Sequence, residues 1–151
     1  MNPTSKQIAR ISIAIWLTAL LLNTAIGLYI MTDDVKVDIL GLALKGIIYG
    51  AIFSFPVFMV MWLLFYFLFQ KNFTAGNIYI AMLVVGVGLT GISFFLFSEY
   101  KKLSATVNIP LAEGALVSAT IAIAIQFNAI RKVCFRRDHP GYFTKQDKIP
   151  L

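Results

Sequence analysis

Residues 59–69 of this 151-residue chain read MVMWLLFYFLF, and this run decides the fold. No side chain in it is ionised, so a helix built from it would be apolar on every face and would have no face suited to water. Such a helix is stable in a lipid bilayer, because its backbone hydrogen bonds are made within the helix itself. The run therefore predicts a membrane-spanning helix.

Three other stretches have the same character. A spanning helix needs about 20 mostly apolar residues, since each adds about 1.5 Å across a hydrocarbon core of about 30 Å. Only 13% of the residues are charged, about half of the fraction usual in soluble domains. We predict an all-α integral membrane protein with four transmembrane helices, at residues 11–31, 47–69, 78–97 and 111–130.

The predicted loops are short, which favours an up-down antiparallel four-helix bundle. This bundle would form one transmembrane domain, residues 1–130, followed by a short basic tail, residues 131–151. With four spans, the two termini and the second loop lie on the same side of the membrane. Most of the 13 lysines and arginines are in these three segments. Because basic residues accumulate on the cytoplasmic side of membrane proteins, we expect both termini to lie in the cytoplasm. We expect the protein to reside in the inner (cytoplasmic) membrane of its cell.

Small residues at helical spacing predict where helices approach closely. In the second span, small residues recur every four positions and so share one face of the helix. In the fourth span they are spaced alternately three and four positions apart and form one continuous seam. Packing within a single bundle is the favoured interpretation, and contact with another subunit in a homo-oligomer is the alternative. The residues concerned are Gly46, Gly50 and Ser54 in the second span, and Ala112, Ala115, Ala119, Ala122, Gln126 and Ala129 in the fourth.

Two amides and one carboxylate are the notable polar groups of the spans. Asn23 and Gln126 must each find a partner, and we expect them to bond between helices rather than to line a pore. Glu113 follows Pro110 at the expected outer start of the fourth span. A helix cap explains both of these residues better than the mouth of a pathway does.

The segments outside the spans could meet partners. If the segment before the second span is helical, Asp34, Asp38 and Lys45 would lie on one polar stripe, either as an interfacial or docking face or as a solvated extension. Arg131, Lys132, Arg136 and Arg137 are expected to contact an anionic inner leaflet. The alternative is that these cations bind a cytosolic protein partner. Nucleic acid is disfavoured as a partner, because too few residues follow the basic cluster to build a nucleic-acid-binding fold.

No catalytic or cofactor-binding pattern is present in the sequence. The single histidine and the single cysteine form neither a metal set nor a nucleophile–base pair. We therefore expect a non-enzymatic accessory or sensor subunit that self-associates and engages a cytosolic partner. Its architecture is like that of small multi-span proteins in stress or phage-defence systems. Two alternatives stay open: an immunity protein against a pore-forming toxin, and a homo-oligomeric channel or small transporter.

Overall fold

A computed structural model describes residues 3–31, 39–101 and 105–139 of the chain. These ranges contain no strand and five helices, so the prediction of an all-α protein is confirmed for them. By length and composition, three of the helices could cross a membrane, or four if a bent pair counts as one span. The helices are α1 (Pro3–Met31), α2 (Ile39–Gln70), α3 (Ala75–Lys101), α4 (Ala105–Ile125) and α5 (Phe127–Asp138).

The first four helices pack in a cycle. α1 lies between α2 and α4, and α3 lies between the same two helices on the opposite side. The small face of α2 allows its approach to α1: a Cβ atom on Gly50 would lie 2.7 Å from Leu20 Cδ1. One turn further along, Trp16 Nε1 donates a hydrogen bond of 2.8 Å to Ser54 Oγ. The start of α2 therefore packs beside the end of α1.

A tight turn joins α2 to α3. Asn72 has a φ of 58°, a left-handed conformation in which asparagine is enriched several-fold over most residues. Thr74 Oγ1 then accepts a hydrogen bond of 3.3 Å from the Asn77 N–H group, which caps the start of α3. Two long apolar helices are thus connected by only four residues, as the short loop in the sequence predicts.

The fourth helix differs from its predicted bounds at both ends. It begins at Ala105, so Pro110 and Glu113 lie inside it rather than at its cap, and its first turn contains no acidic residue. The cap interpretation of these two residues is therefore wrong. At the other end the helix stops at Ile125 instead of running to residue 130, and a bend of 40° separates it from α5.

The bend lies at Gln126, whose N–H group bonds to the Ile123 carbonyl at 3.2 Å in a tightened turn. The sequence predicts that the span continues to residue 130 and that a tail begins at residue 131, whereas Phe127–Asp138 form α5, which packs against the bundle. Ile130 is fully buried and Cys134 is 2% exposed. The bend turns this apolar side of α5 under the bundle and leaves its cations outside. The rest of the expected tail, residues 140–151, lies outside the described residues.

The core is densest at this same end of the bundle. Phe65, Ile78 and Met82 are fully buried there between α1, α2 and α3. Ala122 and Ile123 of α4 join them, and α5 closes the cluster from below. The opposite end of the bundle is packed less completely and contains the cavity described next.

Candidate functional site

A cavity of about 380 Å³ lies between α1, α2, α3 and α4, in the half of the bundle away from α5. Its volume is in the range of small-molecule sites in proteins, and its walls are mostly apolar, as is usual for such sites. Several of its lining residues are small, among them Gly27, Ser93 and Ala115. Its polar lining residues are Asn23, Thr24, Lys45, Tyr49, Ser54, Thr90 and Ser93.

Several of these polar groups are already satisfied. Thr24 Oγ1 donates to the Leu20 carbonyl at 2.9 Å, and Thr90 Oγ1 donates to the Gly86 carbonyl at 2.7 Å. Both are bonds back to the residue's own helix, which need no further partner. Ser54 accepts the bond from Trp16 already described. These hydroxyl groups therefore add little polarity to the cavity.

Asn23 and Lys45 differ from the hydroxyl groups. Within the part of the chain that the structure describes, the Asn23 amide has no hydrogen-bond partner and the Lys45 ammonium has no carboxylate partner. Asn23 is half-buried, and Lys45 is exposed in the second turn of α2. The expected interhelical bond of Asn23 is thus absent among these residues, and Asn23 lines the cavity.

The inner end of the cavity is closed by the core. Val57 is the last lining residue of α2, and one turn beyond it Met61 is buried together with Phe65 and Met82. A second space of about 60 Å³ lies at this level and is almost entirely apolar. The cavity therefore ends within the bundle instead of continuing as a wet path.

The second notable site is the contact of α5 with the α2–α3 turn. Arg137 Nη1 donates to the Phe69 carbonyl at 3.0 Å, and Nη2 donates to the Phe73 carbonyl at 3.1 Å. The Phe69 carbonyl, in the last turn of α2, also accepts the Asn72 N–H at 3.2 Å, and the planar guanidinium adds a second donor there and one to the turn. The same group lies 4.9 Å from the centroid of the Phe69 ring. Arg137 thus fixes α5 to the end of the bundle.

Two titratable groups of α5 respond to this arrangement. Burial raises the pKa of the Cys134 thiol, an effect that the nearby Arg137 charge partly opposes. The bond from Arg137 Nε to Asp138 Oδ1, 2.7 Å long, holds the pKa of that carboxyl below its usual range. Cys134 is therefore a protonated, shielded thiol at neutral pH, and Asp138 remains ionised.

The other cations of this end are exposed. Arg131, Lys132 and Arg136 project from α5 away from the buried face, whereas only 14% of the Arg137 side chain is accessible. The N-terminal part of α1 and the α2–α3 turn meet α5 here and add further exposed cations. We call this surface the basic face; it comprises Lys6, Arg10, Lys71, Arg131, Lys132 and Arg136. Asp138 is the one acidic residue that the structure describes at this end.

The predicted seams both make contacts within the chain. Ala115, Ala119 and Ala122 of α4 are buried in the bundle, while Ala112, Gln126 and Ala129 are half-buried. The face of α2 with Gly46, Gly50 and Ser54 packs on α1. Glu113 is exposed and is not among the cavity-lining residues; Asp34 and Asp38 lie outside the described residues.

Sequence reasoning missed the cavity. The apolar run predicts a second span that begins at residue 47, with Lys45 on a polar stripe ahead of it, whereas α2 begins at Ile39 and Lys45 lines the cavity. A charge at the edge of a long apolar run is the signal that could have indicated this position. Among the residues that the structure describes, no three His, Cys, Asp or Glu side chains are grouped so that they could hold a metal ion. No known protein family, curated protein or solved structure matches this chain.

Proposed function

We propose that this protein is a four-span inner-membrane protein that acts without catalysis, as an accessory or sensor subunit, and engages a cytosolic partner through its basic face. Both termini lie in the cytoplasm. α4 forms the fourth span on its own, since its 21 residues extend about 30 Å, the thickness of the hydrocarbon core.

The observation that carries the proposal is the rigid presentation of the basic face. Ile130, Val133 and Cys134 are buried against the bundle, and Arg137 is bonded to the α2–α3 turn. Arg131 and Lys132 are therefore held at defined positions instead of on a disordered tail. A surface ordered before binding loses less conformational entropy on association, which favours a specific partner over general attraction to lipid.

The charge of this face also supports the orientation. Exposed cations from α1, the α2–α3 turn and α5 are gathered at one end of the bundle. An excess of Lys and Arg marks the cytoplasmic side of a membrane protein. The partner that suits such a face is a protein with an acidic surface, and the association is expected to weaken as salt is added.

Two features expected from the sequence receive less support from the packing. Self-association of the subunit through the fourth-span seam would require a free seam, but Ala119 and Ala122 are buried inside the bundle. A channel through the interior of one bundle would require a wet path, but Met61, Phe65 and Met82 fill the interior below the cavity. The proposed partner contact at the basic face depends on neither feature.

The test compares two triple variants that remove equal charge, one from the basic face and one from the two segments that the sequence predicts on the outer side of the membrane. R131Q/K132Q/R136Q alters the basic face, and K36Q/K101Q/K102Q is the matched control. Each protein is purified in mild detergent, and the mass of its complex is measured at low and high salt. We expect the first variant to lose a salt-sensitive cytosolic partner that the wild type and the control retain.

Equal retention by both variants would refute the role of the basic face. The orientation is tested separately, with reporter tags on the first and last residues of the chain. Tags that report opposite compartments would contradict a four-span topology.

A further inference from the structure

The cavity is elongated along the bundle. Its lining residues on α2 extend from Leu42 to Val57, which corresponds to about 22 Å of helix. The volume of about 380 Å³ is small for that length and lies near the lower end of the range for ligand sites. The space therefore suits a single extended chain better than a compact molecule or a lipid with two chains.

Its polarity changes along this length. The inner part is lined by Phe53 and Val57 of α2, and its two hydroxyl groups are already bonded: Ser54 accepts from Trp16, and Thr90 donates to the Gly86 carbonyl. Lys45 and Asn23 belong to the outer part. Lys45 and Asn23 lie at nearly the same depth. Their sequence neighbours Gly46 and Thr24 are in contact, since a Cβ atom on Gly46 would be 3.3 Å from Thr24 Cγ2.

The charge of the site is positive. Lys45 lines the cavity, and no carboxylate is among the lining residues, so a metal cation is disfavoured. The Lys45 ammonium and the Asn23 amide N–H groups together favour an oxyanion as the ligand, because hydrogen bonds that involve a charged group are stronger than those between neutral groups. A chain that is apolar at one end and anionic at the other matches both parts of the cavity.

We propose that this cavity binds a single-chain amphiphile with an anionic headgroup, either a fatty acid or a lysophospholipid. The acyl chain lies along α2 towards Val57, and the headgroup is bound by Lys45 and Asn23. The site is separate from the basic face, so it depends on the proposed membrane placement but not on the cytosolic partner.

The two tryptophans of the chain provide a direct assay. Trp16 is bonded to Ser54 at the inner part of the cavity, and W62F leaves it as the single fluorescent tryptophan. Bromine atoms quench tryptophan only at close range. Bromine-labelled stearate, lysophosphatidylglycerol and lysophosphatidylcholine are therefore titrated into this variant in detergent.

We expect saturable quenching by the two anionic probes and about tenfold weaker binding of the zwitterionic one, given the strength of hydrogen bonds to charged groups. K45Q should weaken anionic binding about tenfold, while K71Q removes the same charge at the opposite end and should have no effect. Tighter binding of stearate identifies a carboxylate ligand, and tighter binding of lysophosphatidylglycerol identifies a phosphate ligand; both results support the proposal.

The steric test fills the cavity. Ala115 is buried and lines it, so A115F should abolish quenching, while A25F places the same side chain at an exposed position of α1 and should preserve it. If A115F is not monodisperse on size exclusion, S93L at the half-buried Ser93 replaces it. Equal affinity for all three probes, or quenching unchanged in the filled variant, would overturn the proposal. Neither result bears on the partner of the basic face.

Discussion

Replacing Arg137 by glutamine should release α5 from the end of the bundle. The side chain donates to the Phe69 carbonyl in the last turn of α2 at 3.0 Å and to the Phe73 carbonyl in the α2–α3 turn at 3.1 Å, and its guanidinium lies 4.9 Å from the Phe69 ring centroid. Glutamine keeps a polar side chain but loses the charge, the length and the forked donor geometry. The docked state of α5 should therefore lose most of this contact.

The size of the effect follows from these contacts. A hydrogen bond from a charged donor contributes about 1.5–3 kcal/mol when buried, and one of the two bonds here is exposed, so about 2 kcal/mol is a fair sum for the pair. A cation–π contact at a partly exposed position adds about 0.5–1 kcal/mol. A total of about 2–3 kcal/mol corresponds to a rise of about 30-fold to 150-fold in the population of undocked α5.

Cys134 reports this opening without any added label site. It is the single cysteine of the chain, and it is 2% exposed on the face of α5 that packs against the bundle. When maleimide reacts slowly compared with reclosing, its rate follows the open population. We therefore expect R137Q to react about 30-fold to 150-fold faster than the wild type, after each rate is divided by that of the unfolded protein.

The effect of the charge itself must be separated from the effect of the contact. Arg137 lowers the pKa of Cys134, so its removal raises that pKa and slows the reaction; acceleration would occur in spite of this change. Lys132 is exposed on the same helix, and K132Q is the matched control. The labelling rate of R137K should lie between those of the wild type and R137Q, since lysine keeps the positive charge but lacks the two forked N–H donors of the guanidinium. Equal labelling rates for R137Q and K132Q would refute the assignment of Arg137 as the contact that holds α5.

Three further predictions concern packing and pH. A Cβ on Gly86 would lie 2.9 Å from Met61 Cε, so G86V should destabilise the protein by about 1–3 kcal/mol in thermal unfolding in detergent. G88V, where nothing lies within 4 Å, is its control, and equal midpoints would contradict the packing. F65A removes a fully buried ring and should cost about 3 kcal/mol in the same assay; a midpoint like that of the wild type would be inconsistent with a filled core. The pKa of Cys134 is raised in the docked state, so the protonated thiol favours docking of α5. This stabilisation is complete below the ordinary thiol pKa and is lost as pH rises through the raised pKa. Maleimide labelling of the folded protein should thus keep rising above the ordinary thiol pKa, and a plateau at that pKa would exclude the burial effect.

The sequence by itself determined the class of this protein. A run such as residues 59–69 has no face for water, so a helix of spanning character follows from the side chains alone. The spacing of Gly46, Gly50 and Ser54 likewise predicted a close helix contact, because residues four apart share a face. These properties are local, since they depend on periodicity along one helix and not on its neighbours.

The tertiary structure decided which neighbours those faces meet and where space is left. Whether the seam of Ala119 and Ala122 faces its own bundle or another subunit depends on the relative rotation of helices, which no single helix encodes. The bend at Gln126 and the docking of Arg137 on a turn 64 residues away in sequence also require the assembled bundle. The cavity beside Lys45 is the strongest case, because an unfilled volume is a property of four helices together, and no sequence pattern records what is absent between them.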